Sequence, residues 1–348
     1  MKLSKLLLIA LSVSLFVSCS SDDDNDESKG QYENGFFILN EGSAGQGSVS
    51  FSSDDFSVFT KDAYTAANGT DLLGKYAQNI FFDGDNAYII AGGSNVINVV
   101  NRYTFKLIAK IDSGLANPRY GVVKDGKAYV TNANTYSYIN PATGNTDDYV
   151  AIINLTTNKV ESKIELNATA DRLVLEDGKL YITEQYNNDK LLIVNITTKA
   201  LETPVVIGSG ADTIEEENGI LYILRKPYGE SSEIVKVKIS DKSVSKVTFP
   251  ETLDSAGFLD ISDNKIYYTV GSSVYSINTS AASISTSAIF TASSVANLYG
   301  FAVNDNKIYL ADSGDYKADS KAYIYNLTGT LQKELTVGVA PNGFYFND

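Results

Sequence analysis

The chemistry open to this 348-residue chain rests on carboxylates, tyrosines, amides and arginines, because it holds no histidine and one cysteine. That composition excludes histidine general bases, Ser-His-Asp triads and most transition-metal sites. Carboxylate chemistry remains open. Glu41, Asp171, Asp212 and Asp254 could converge on one point, as calcium-assisted hydrolysis of a lactone would require. Asp312, Asp315 and Asp319 lie close in one loop with Ser313 and Ser320 and could bind calcium, although their spacing does not fit an EF-hand. Glu41-Gly42-Ser43-Ala44-Gly45-Gln46-Gly47 is glycine-rich but joins two strands. It does not open a helix, as a phosphate cradle would.

A second set of residues suits recognition rather than reaction. Tyr76, Gln78, Asn117, Arg119, Tyr120, Arg172, Asn297, Tyr299 and Asn342 fall in loops leading into recurrent strands. Tyr136, Gln185, Tyr186, Arg225 and Tyr228 fall in loops leaving the next ones. Tyrosine offers a flat apolar ring with a hydroxyl tip at low entropic cost, and Arg, Asn and Gln add directional hydrogen bonds. These fourteen positions are the expected ligand-binding residues, with no catalytic residue, metal or cofactor among the expectations. Tyrosine occurs 23 times, so packing between structural units competes with ligand contact for each one. Arg119 and Arg172 could equally pair with an Asp of a neighbouring unit.

What positions these loops is a repeated phrase, a tight turn followed by an apolar-Tyr-apolar strand. It reads Asp125-Gly126-Lys127-Ala128-Tyr129-Val130, and recurs around Tyr88, Tyr181, Tyr222, Tyr267 and Tyr309, with a degenerate copy at Asn34-Gly35-Phe36-Phe37-Ile38-Leu39. The six tyrosines are spaced 41, 52, 41, 45 and 42 apart. A period of roughly 40–50 residues made of strands and turns marks a β-propeller blade. Asp-Gly and Asn-Gly tolerate positive φ and set the hairpin between first and second strands. Alternating segments such as Tyr149-Val150-Ala151-Ile152-Ile153-Asn154 supply the third and fourth strands. No segment of the mature region has convincing helical periodicity.

The two ends of the chain are halves of one repeat. Val339-Ala340-Pro341-Asn342-Gly343-Phe344-Tyr345-Phe346 matches the start of the third blade at Ala116-Asn117-Pro118-Arg119-Tyr120-Gly121, but no second strand follows it. The missing strand is Asn34 to Leu39. The expected fold is therefore all-β: a seven-bladed propeller of four-stranded antiparallel blades over residues 34–348, closed by pairing of its N- and C-terminal strands.

Residues 1–18 read as a lipoprotein signal peptide, with Lys2 and Lys5 ahead of the apolar run Leu6 to Val17. Phe16-Val17-Ser18-Cys19 resembles a bacterial lipobox, which makes Cys19 the expected lipidation site and gives the lone cysteine a role. Phe16 departs from the usual Leu, Val or Ile. Residues 19–33, with Ser20-Ser21-Asp22-Asp23-Asp24-Asn25-Asp26-Glu27-Ser28, read as a disordered acidic tether. That stretch resembles the acidic export tag of Bacteroidetes-type lipoproteins, which implies a lipid-anchored protein on the outer face of the outer membrane. The net charge of −14 argues against a nucleic-acid partner.

Several phrases resemble the YncE-like, surface-layer-type propellers of Bacteroidetes, the DUF5074 family. They are Gly35-Phe36-Phe37-Ile38-Leu39-Asn40-Glu41-Gly42, Leu73-Gly74-Lys75-Tyr76-Ala77-Gln78, Ser94-Asn95-Val96-Ile97-Asn98-Val99-Val100, Asn117-Pro118-Arg119-Tyr120 and Ala128-Tyr129-Val130-Thr131-Asn132. Together with the repeat they cover essentially residues 34–348. The resemblance implies a non-enzymatic surface protein. It would capture cobalamin or another corrinoid and pass it to a TonB-dependent outer-membrane transporter. A calcium-dependent lactonase-like enzyme and a glycan- or protein-binding adhesion scaffold are the alternatives, since one propeller fold hosts many functions.

Overall fold

The computed structural model describes residues 28–134, 147–186 and 188–347. Their strands form seven sheets, one per blade. Blade 2, for example, runs Ala77–Asp83, Asn86–Ala91, Val96–Asn101 and Leu107–Ile111 from the centre outward. The first strand of each blade touches that of the next, and the seventh returns to the first, so the ring is closed. Among the described residues, no helix is long and apolar enough to cross a membrane.

Blade 1 is shared by the two ends, as the matching phrases require. The C-terminal strand Pro341–Phe346 is innermost and pairs antiparallel with Gly35–Asn40, placing Phe36 opposite Phe346 and Ile38 opposite Phe344. Two N-terminal strands, Ser48–Ser53 and Phe59–Thr60, complete the sheet. The pairing satisfies an edge that would otherwise present unpaired backbone groups.

The repeated turns take the backbone that their residues favour. Asp125 and Gly126 both have positive φ, 51° and 71°, as a type I′ hairpin needs. Asp263-Asn264 and Asp305-Asn306 adopt the same left-handed pair without glycine, which short polar side chains tolerate. The tyrosine of each phrase is buried. Tyr88, Tyr129, Tyr181, Tyr222, Tyr267 and Tyr309 are all at most 5% exposed. They build the packing between blades and are removed from ligand contact.

Three features differ from the sequence reading. Tyr32, assigned above to the tether, is fully buried and packs edge-on against Phe37, Phe51 and Phe105. The folded region therefore starts before residue 34. A six-residue helix, Ala63–Asn68, links blades 1 and 2, with the Asp62 side chain accepting from Thr65 N at 3.1 Å. One and a half turns are too short to show a period. In blade 4 the outer strand is split into Ala200–Leu201 and Val205–Val206, both paired with Lys190–Asn195. Pro204 lies between the two pieces, where a residue without an N–H cannot continue the ladder.

Candidate functional site

Each first strand starts at the same end of the central channel, and most start with a β-bulge. Pairing skips Gln78 in blade 2, Arg119 and Tyr120 in blade 3, and Asp212 and Thr213 in blade 5. It skips Gly257 and Phe258 in blade 6, Tyr299 in blade 7 and Asn342 in blade 1. A bulge leaves a residue out of the ladder and re-aims its side chain. Tyr76, Asn117, Ser255 and Ala340, each a residue or two ahead of a bulge, hold positive φ. The sequence therefore aims one short segment of each of these six blades at the channel mouth. Blade 4 adds Arg172, immediately before Leu173–Glu176.

These segments line an open cavity of about 980 Å³, at the upper end of the range for small-molecule sites. Ten of the fourteen expected residues line it: Tyr76, Gln78, Asn117, Arg119, Tyr120, Arg172, Gln185, Tyr186, Tyr299 and Asn342. Asn297 lines a neighbouring recess of about 300 Å³ that shares Gly257, Phe258 and Leu298 with the main cavity. Arg225 does not reach the cavity. It is buried at the end of the strand Ile220–Arg225, pairing with Glu233 and donating to Ser209 O. Tyr228 is fully exposed and lies off the lining. Tyr136 and Cys19 lie outside the described residues.

A chain of polar contacts runs along the mouth from blade to blade. Arg119 Nη1 donates to Gln78 Oε1 at 2.8 Å, and Gln78 Nε2 donates to the Tyr120 hydroxyl at 2.8 Å. Arg119 Nε pairs with Asp171 at 2.8 Å. The Arg172 guanidinium lies over the Tyr120 ring, 4.6 Å from its centroid, and its Nε meets Asp212 Oδ1 at 3.3 Å. Lys226 Nζ takes the other Asp212 oxygen at 2.5 Å and donates to Gly257 O at 3.2 Å. Both arginines thus make the inter-blade ion pairs left open by the sequence, while still facing the cavity. On the far side the Tyr299 hydroxyl donates to Glu41 Oε2 at 2.5 Å, and Asn342 Nδ2 donates to Ala77 O at 2.9 Å.

Charge states follow from these contacts. Burial works to raise Asp212, yet Arg172 and Lys226 hold its carboxyl below the usual range. Burial, the hydrogen bond to Glu41 and that carboxylate's charge push the Tyr299 hydroxyl up, so it stays a neutral donor. Burial raises Tyr120 as well. Asp148, a lining residue with no place among the expected ones, is pushed up to about 7 by burial, although Ala170 and Asn134 N–H groups donate to it.

Of the four carboxylates considered for catalysis, Glu41, Asp171 and Asp212 line the cavity and Asp254 does not. Asp171 and Asp212 pair with cations, Glu41 accepts from Tyr299, and Asp254 accepts from Ser232 and Ser255 N–H groups away from the cavity. In the Asp312–Asp319 loop, Asp312 accepts from Ala296, Asn297 and Gly314 N–H groups, Asp315 from Lys317 and Ala318, and Asp319 pairs with Lys61. Among the described residues, no group of three or more His, Cys, Asp or Glu could hold a metal ion.

Phe258 and Asp148 were missed from the sequence. Phe258 shares a bulge with Gly257 in an irregular copy of the repeat. Asp148 follows the long connection of blade 3, where the repeat offers no register. Alignment of the seven strand starts was the signal that could have found Phe258.

Comparison with solved structures shows the fold. A quinoprotein alcohol dehydrogenase-like protein from Bacteroides thetaiotaomicron superposes with a TM-score of 0.67 at 18% identity, covering 91% of this chain and 79% of that one. A functionally unknown protein from Desulfotomaculum acetoxidans gives 0.66 at 12%, covering 90% and 98%. A 6-phosphogluconolactonase candidate from Bacteroides uniformis gives 0.65 at 12%, covering 91% and 100%. No curated protein matches the sequence. Residues 34–256, well over half of the chain, match the family model described as a domain of unknown function, DUF5074. The chain therefore belongs to the DUF5074 family.

Proposed function

We propose that this chain is a non-enzymatic capture protein whose channel mouth holds a large polar ligand, with a corrinoid such as cobalamin as the ligand. The observation that carries the reading is the 980 Å³ cavity to which all seven blades contribute, five of them with tyrosines, amides or arginines. Such a surface can engage a broad ligand at many points. Nanomolar affinity corresponds to about −12 kcal/mol, so each of seven blades need supply only about 1–2 kcal/mol. The corrinoid itself rests on the family resemblance. Delivery to a TonB-dependent transporter rests on it too, whereas the lipid anchor at Cys19 rests on the lipobox-like Phe16-Val17-Ser18-Cys19 and display on the outer face of the outer membrane on the acidic stretch that follows.

Calorimetric titration of the soluble propeller with cyanocobalamin tests the ligand. Saturable binding well below micromolar is expected, weakened modestly by Tyr120→Ala. Absence of heat at micromolar concentration would remove the corrinoid. Turnover of a lactone that stops when calcium is chelated would put the enzyme reading in its place. The anchor is tested by fractionating cells that express Cys19→Ala. The variant is expected to leave the membrane, and full retention there would contradict lipidation.

A further inference from the structure

The guanidinium of Arg172 is held rigidly but is not saturated. Its Nε meets Asp212, and its plane lies over the Tyr120 ring. Its two Nη atoms make no hydrogen bond to any described residue. Tyr120 is fixed in turn by Gln78, and Gln78 by Arg119. The fork is therefore pre-oriented at the cavity wall with donors left over. A planar fork of this kind matches the oxygens of a phosphate or carboxylate in pairs.

The ion pairing along this arc points the same way. Along this arc Arg119, Arg172 and Lys226 face Asp171 and Asp212, with the single Asp212 carboxylate shared by two cations. The remaining lining carboxylates accept from uncharged donors, and with them the whole lining carries five carboxylates against three cations, so the excess of cations is confined to this arc. Glu41 accepts from Tyr299, Glu184 from Thr169 and the Tyr186 N–H, and Asp148 from two backbone N–H groups. Glu215 stands within electrostatic range of Arg172. Burial and neighbouring Asp260 raise its carboxyl above the usual range, against the pull of the guanidinium. The overall charge of −14 acts from a distance and is screened beyond about 8 Å at physiological ionic strength.

We propose that the cavity contains an anion subsite centred on the Arg172 fork, which takes a phosphate, phosphodiester or carboxylate group of the captured ligand. The subsite rests on the reading above in that the ligand occupies this cavity, and it narrows the ligand class to molecules carrying such a group.

Titration with dimethyl phosphate, followed by NMR of the arginine side-chain nitrogens, tests the subsite without the natural ligand. Saturable perturbation of Arg172 is expected in the wild type. Arg172→Gln should weaken the binding roughly tenfold or more, and Arg172→Lys should fail to restore it, because an ammonium keeps the charge but not the fork. Arg172→Lys can still pair with Asp212, so it serves if the glutamine variant unfolds. Equal dimethyl phosphate binding in wild type and either variant would overturn the subsite.

A second arm separates the subsite from the corrinoid. Cyanocobalamin carries a phosphodiester and dicyanocobinamide does not. Preference for the first, lost in Arg172→Gln, supports the subsite, whereas equal affinity for both in the wild type overturns it and leaves capture intact. Arg172-dependent binding of dimethyl phosphate without binding of either corrinoid supports the subsite and sinks the corrinoid reading.

Discussion

A chain ending at Ala340 is expected to lose cooperative thermal unfolding, or to melt far below the full-length protein. The deleted strand, Pro341–Phe346, is the innermost of blade 1 and supplies the ladder along the inner edge of Gly35–Asn40. Phe344 and Phe346 pack with Phe36 and Tyr309 at ring separations of 5.1–6.4 Å. Asn347 is fully buried, donating from its backbone to Gly35 O at 2.7 Å and from Nδ2 to Tyr32 O at 2.5 Å. Replacing one buried phenylalanine by alanine costs about 3–5 kcal/mol. Two aromatic anchors, the ladder and the Asn347 clamp together approach the roughly 5–15 kcal/mol that holds a domain folded. Calorimetric melting of the truncated and full-length propellers decides it. Melting within a few degrees of the full chain would mean that the ring does not depend on this closure.

Stability is expected to fall as pH rises from about 5 to about 8. The chain has no histidine, so the groups that titrate in this window are buried carboxyls. Burial pushes Asp148 up to about 7. Glu215 and Asp260, on neighbouring first strands, are also raised, chiefly by burial, and for Glu215 also by the charge of Asp260. Each such group binds more protons folded than unfolded between its two pKa values. Its contribution is therefore present at low pH and lost as pH climbs through the folded value, at up to about 1.4 kcal/mol per pH unit per proton. Asp55, Asp71, Glu161, Glu202, Asp212, Asp241, Asp305 and Asp315 are shifted the other way. Their contribution is lost only as pH drops into the ordinary carboxylate range, so it does not oppose the slope above pH 5. Urea midpoints across this window measure the slope, and Asp148→Asn should flatten it. A midpoint that rises from pH 5 to pH 8 would contradict these environments.

The architecture was legible because the repeat joins two independent signals. Turn residues such as Asp125-Gly126 fix where a hairpin reverses, and Tyr129 beyond it fixes which strand is buried. Repetition then sets the blade count, and the match between Ala116–Gly121 and Val339–Phe346 sets the closure. The site was legible only as a position. Loops leading into first strands could be named, but a bulge that aims Gln78 or Tyr299 at the channel has no residue signature of its own. Arg225 shows the limit. It sits one residue before Lys226 in a loop-like run, yet pairing extends through it and turns it toward Glu233, while Lys226 reaches the cavity. The short helix at Ala63–Asn68 and the burial of Tyr32 depend on tertiary packing against Phe105 and its neighbours, which no local pattern records.

A ligand held at the ring of strand starts would shield their backbone from solvent. Hydrogen exchange of the soluble propeller with and without cyanocobalamin tests it most directly. Slowed exchange is expected at residues 76–79, 117–121, 169–173, 211–213, 256–258, 298–300 and 341–343, with the outer strands of the blades unchanged. Protection confined to the outer strands, or no change at saturating cyanocobalamin, would contradict it.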